Sequence, residues 1–117
     1  MEWIEFLGGI LDNHKIRIIR KGPGGDTLVF LWLVMLAEAG RSDQGGCLMV
    51  TDALPYNAQT LSLVADIPVG TVRIGLGRFT VLEMIDMMDN RIVIREWGKY
   101  RGADKPVKPL PIDGERR

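Results

Sequence analysis

The chain has 117 residues, enough for one small domain with extensions, and its 46% hydrophobic share can supply a real core. Fifteen basic and fifteen acidic residues cancel, which argues against a strongly basic nucleic-acid binder. The balance is uneven: residues 1–97 hold nine Lys/Arg and twelve Asp/Glu, while residues 98–117 hold six and three, so attraction to phosphate falls to local patches or to the C-terminal segment. The single cysteine, Cys47, rules out an intrachain disulfide and fits a reducing cytoplasm. The N-terminus lacks the basic start and apolar run of a signal peptide. The longest apolar run, Leu28 to Ala37, falls well short of the roughly 20 residues of a membrane span and reads as a buried helix.

In chain order, Trp3-Ile4-Glu5-Phe6 reads as a short lead-in. Asp12 or Asn13 is placed to cap a helix over roughly His14–Lys21, with Ile16, Ile19 and also Ile18 facing inward. Gly22-Pro23-Gly24-Gly25 breaks it. Asp26 is expected to cap a second helix, Thr27 to about Ala39, with Gly40 as the stop. This helix is apolar all round and carries Trp32, which predicts the centre of the core. Residues 41–46 form a polar loop, and Cys47–Val50 has strand character. Asn57 is a good N-cap for the next helix, whose inner face is expected to hold Leu61, Val64 and Ala65. Pro68 suits the opening of the helix that follows, in which Val69, Val72, Leu76 and Phe79 recur at three- and four-residue steps as a buried stripe. Two strands follow, joined at Asp89-Asn90, two residue types that tolerate the positive φ of a tight hairpin turn. Ile92 and Ile94 alternate with Arg91, Val93 and Arg95. Trp97 and Tyr100 are expected to fold back on the body. From about Gly102 three prolines and no periodicity predict a basic linker or tail, residues 101–117, leading to a further C-terminal region.

The expected fold is α+β and mostly helical: a winged helix-turn-helix over residues 1–100, with extra N-terminal helices and a C-terminal hairpin as the wing. Burial of the stripe on the Pro68–Leu82 helix turns Ile74, Gly77 and Val81 outward and puts Thr71, Arg73 and Arg78 on the flanks. Thr71, Arg73, Ile74 and Arg78 are therefore the candidate DNA-facing residues, joined by Arg91 on the hairpin. Arg95 reads instead as part of a solvated strand face. Gly75 and Gly77 each cost helix propensity; they permit close approach of DNA or a partner, or simply mark poor propensity repaired by packing. No catalytic arrangement emerges. His14, the only histidine, reads as an exposed helix residue, Cys47 as a core strand residue, and Gly22–Gly25 lacks the Gly-Lys-Ser/Thr ending of a phosphate loop. No metal-ligand cluster and no cofactor motif is present.

With these segments in order, the sequence resembles the N-terminal domain of phage replisome organizer proteins, relatives of the DnaD-type replication-initiation proteins of low-GC Gram-positive bacteria. The resemblance runs from Trp3 to Tyr100. It is carried by Trp3–Phe6, Asp12–Ile19, Gly25-Asp26-Thr27 before the apolar helix with Trp32, Ala39-Gly40, Gly46–Met49, Leu54-Pro55-Tyr56, Thr71-Val72-Arg73 with Leu76 and Phe79, Met84-Ile85, and Trp97–Tyr100. It implies a non-enzymatic winged helix in the cytoplasm of the bacterial host. Its implied partners are double-stranded origin DNA and replication proteins such as a helicase loader; the short apolar run speaks against a membrane partner. Two positions depart from the family: Glu83 stands where it tends to have glycine, and Gly75 and Gly77 stand where it is richer in Ala and Lys. Two other functions share the same fold, a self-association module with DNA binding located elsewhere and a transcriptional regulator. Outward apolar residues (Ile74, Val81, Met87 and Met88) point to a dimer or larger assembly.

Overall fold

A computed structural model describes residues 9–10, 13–98 and 100. Among them are four helices, α1 (His14–Lys21), α2 (Gly25–Ser42), α3 (Ala58–Ala65) and α4 (Val69–Val81), followed by the antiparallel strands β1 (Ile85–Met88) and β2 (Arg91–Ile94). The expected α+β, mostly helical architecture is observed. The expected lead-in at residues 3–6 and the tail beyond Tyr100 lie outside the described residues.

Asn13 caps α1: its side chain accepts the backbone N–H groups of Lys15 and Ile16. Ile16 and Ile19 are buried, but Ile18 is 44% exposed, because an eight-residue helix lying on one neighbour buries only a narrow stripe. The α2 start differs from expectation. Gly24 takes the left-handed conformation that a side chain resists, and α2 begins at Gly25. A β-carbon at Gly25 would collide with the backbone of Ile19 and Arg20, so this glycine lets α2 fold tightly back on α1. Asp26 therefore sits inside the first turn, where it meets Arg20 at 3.5 Å rather than capping. Gly40 does not stop the helix; α2 continues to Ser42 and ends on Asp43 in the left-handed region.

Leu28, Leu31, Trp32, Met35, Leu36 and Ala39 of α2 form the middle of the core, while Phe30 stays half exposed, so the helix is not buried all round. Trp32 meets Phe79 of α4 at 5.2 Å between ring centroids and Tyr100 edge-on at 6.0 Å. Trp97 and Tyr100 do fold back on the body, the former against Gly46.

A polar clamp ties the segment after α2 to its C-terminal end. Glu38 is buried; it accepts the Tyr56 hydroxyl at 2.8 Å and pairs with Arg41 at 3.0 Å. Burial raises the Tyr56 phenol to about 12, and the hydrogen bond and negative charge of Glu38 add to the shift. The Ser42 hydroxyl lies 2.8 Å from the carbonyls of Glu38 and Met49 and accepts the Met49 N–H at 3.0 Å. The expected strand at Cys47–Val50 is reduced to single bridges, Cys47 with Val93 and Met49 with Pro55. Even so, Leu48 N–H donates to Ile92 and Ile94 N–H to Gly46, both at 2.9 Å, which lays this segment along β2.

Asn57 and Thr60 close a reciprocal cap on α3. Leu61 and Ala65 face inward, but Val64 is 48% exposed, a correction with the same cause as Ile18. Asp66, left-handed, ends α3, and Pro68 caps α4. The chain turns through 112° between the two helices. The hairpin turn falls at Asp89 and Asn90, both at positive φ, and pairs Ile85 with Ile94 and Met87 with Ile92.

Candidate nucleic-acid interface

Helix α4 packs on α2 with Val72, Gly75 and Phe79 buried and Val69 and Leu76 half-buried. Gly75 belongs to this inner face. A β-carbon there would come within 2.9 Å of the side chains of Leu28 and Leu31, so the glycine brings α4 against α2 and is not offered to DNA or a partner. Gly77 faces open space.

Of the candidate residues, Ile74 and Val81 point outward, 59% and 81% exposed. Arg73 is exposed, with no ion-pair partner among the described residues. Arg78 does not share its side of the helix, since five residues of α-helix turn through roughly 140° modulo a full turn. Arg78 and Thr71, two turns apart, lie together on the opposite flank, both half-buried. The Arg78 guanidinium lies directly over Gly22, in the space that a β-carbon would fill. Its flank faces α1 across an open groove of about 470 Å³, whose lining includes Ile18, Ile19, Ile74, Gly77, Val81 and Leu82. Arg91, exposed, opens β2 opposite Met88. Arg95, one residue past β2, meets Asp86 of β1 at 3.6 Å.

The structure thus brings Ile74 and Arg78 together beside α1, sets Thr71 on the same flank of α4 as Arg78, leaves Arg73 on the far flank, and puts Arg91 on the hairpin. Neither α1 nor α4 contains an acidic residue. A reading centred on α4 gives α1 only a structural part, although its sequence, His-Lys-Ile-Arg-Ile-Ile-Arg-Lys, carries four Lys/Arg in eight positions. That density is the signal by which the sequence could have pointed to α1.

Residues 3–109 match the family model of the N-terminal phage replisome organiser. The chain belongs to this family. Membership ties the protein to phage DNA replication. No curated protein and no solved structure matches the chain significantly. The φ of Glu83, 61°, lies in the left-handed region, where glycine is the unstrained choice. The Glu83 N–H and carbonyl are both engaged, with the Thr80 carbonyl and the Lys15 ammonium, so the turn into the hairpin keeps its backbone partners despite the side chain. No described helix is long and apolar enough to cross a membrane by itself.

Proposed function

We propose that this domain is a winged helix that binds duplex DNA at a phage-type replication origin and helps assemble the replication machinery, including a helicase loader, without enzymatic activity. In this reading residues 1–100 form the binding domain and residues 101–117 a basic linker. The observation that carries it is the α3–α4 pair. Its 112° turn falls in the range of helix-turn-helix units, α4 leaves one face open, and a hairpin follows immediately. The segment at Leu48 runs along β2 through single bridges, at the place where a winged sheet would carry a third strand. α4 would enter the major groove, with Ile74 toward base edges, Thr71, Arg73 and Arg78 toward phosphates on the two sides, and Arg91 on the wing.

The test is duplex binding by the full chain over a salt series. Replacing Arg73 and Arg78 together with Ala is expected to weaken binding and to lower the magnitude of the log–log salt slope by about 0.9 for each phosphate no longer neutralised. Deleting residues 102–117 removes Lys105, Lys108, Arg116 and Arg117 without touching α4. If that deletion abolishes binding and the double change does nothing, α4 is not the DNA-contacting element.

A second reading, self-association, is favoured by the exposure of Ile74 and Val81 on the outward face of α4 and of Met87 and Met88 on β1. Light scattering separates the two: a dimer that Val81→Asp dissociates, with DNA affinity intact, would support it.

A further inference from the structure

Burial takes only Ile16 and Ile19 from α1, leaving its basic side chains on the outside. Two of the four are engaged within the fold. Arg20 meets Asp26 at 3.5 Å, and the Lys15 ammonium donates to the Glu83 carbonyl at 3.5 Å. Arg17 and Lys21 are exposed, and among the described residues neither has an ion-pair partner. They stand four residues apart and so share one face. Like charges at that spacing repel and weaken a helix, and α1 carries no carboxylate of its own to offset them. An anion from outside the chain would resolve that conflict.

The position of α1 says which anion. It lies along α4, sharing the groove of Ile18, Ile74 and Val81, with Arg78 folded over Gly22 at its end. An open groove separates the two helices, and the DNA major groove is about 12 Å wide. A helix standing to one side of the one that enters the major groove is therefore placed over the phosphates at its edge.

We infer that the outer face of α1 is a second phosphate-binding surface, in which Arg17 and Lys21 grip the DNA strand bordering the groove that α4 enters. This rests on the DNA reading given above. The grip is on the sugar-phosphate backbone, so it adds affinity without sequence preference.

The experiment compares three forms of the full chain on two unrelated duplexes across a salt series: wild type, Arg17→Ala with Lys21→Ala, and Arg73→Ala. Circular dichroism and thermal melting verify that each form is folded, and a charge-keeping pair, Arg17→Lys with Lys21→Arg, serves as control. The α1 double variant is expected to lose about 1.8 from the magnitude of the salt slope and on the order of 30-fold in affinity at roughly 0.15 M salt, equally on both duplexes, while the control retains wild-type binding. An unchanged slope in the α1 variant beside a reduced one in Arg73→Ala would overturn this inference and leave the DNA reading standing. A weakening confined to one duplex would put the side chains on bases and also overturn it. If neither variant moves the slope, both readings fall.

Discussion

On the inner face of α4, Gly75 lets the backbone come against Leu28 and Leu31 of α2; two residues along, Gly77 faces open space. The two glycines carry the same penalty in helix propensity, about 1 kcal/mol each relative to Ala. Only one of them gains packing in return. The same division runs through the whole helix. Val72 and Phe79 are fully buried, whereas Ile74 and Val81, β-branched and apolar, stand in solvent. The inner face is accounted for by the fold. The outer face, with an unused glycine, two exposed aliphatics and Arg73, is not, and an unexplained face is where function is to be sought.

Substitutions along α4 can break this contrast. The largest effect is expected from Phe79→Ala, which removes the ring against Trp32 and should cost about 3–5 kcal/mol in denaturant unfolding. A cost under about 1 kcal/mol would mean the core tolerates a gap there. Gly75→Val should follow, at about 1–3 kcal/mol, because Leu28 and Leu31 are themselves buried and have little room to yield. Gly77→Ala should act in the opposite direction and stabilise by up to about 1 kcal/mol; a decrease in stability would show that Gly77 is constrained by something other than the described residues. Val81→Ser should be nearly silent, within about 0.5 kcal/mol, in the monomer. A large destabilisation by Val81→Ser that grows with protein concentration would instead place the outer face in an interface between copies.

Much of this architecture is legible from residue type and spacing, and where the structure departs from those signals the causes are local. Asn13, Asn57 and the Asp89-Asn90 turn announce their roles, because capping and positive φ are set by the residue and its immediate neighbours. The start of α2 is not legible in the same way. Asp26 has the chemistry of a cap, while the actual start depends on Gly24 and Gly25 folding onto α1, a tertiary effect. Periodicity draws Ile18 and Val64 inward, but each lies on a short helix that covers only a narrow stripe. Gly75 is readable in principle: it lies three residues after Val72 and four before Phe79, in phase with the buried stripe. A glycine carries no apolar signal, so hydrophobic periodicity passes over it. Of the candidate site, the outward turn of Ile74 and the exposure of Arg73 follow from the helix period. The covering of Gly22 by Arg78 and the place of α1 beside α4 do not, since both depend on elements far apart in the chain.

The short pairing of Leu48 with Ile92 has a kinetic consequence. The tight packing of α1 on α2, of α3 on α4 and of β1 on β2 each joins neighbours in sequence, at small loop-closure cost. The Leu48–Ile92 pairing instead encloses α3, α4 and β1 in one long loop, so its reward comes only after those elements are in place. Leu48 is fully buried, and Leu48→Ala should destabilise by about 2–5 kcal/mol. In stopped-flow measurements nearly all of that change is expected in a faster unfolding rate, with the folding rate hardly altered, as for an interaction made after the transition state. The bridging segment at Leu48 would then serve as the latch on a domain already shaped by its local pairs, setting how long the native state lasts rather than how fast it forms.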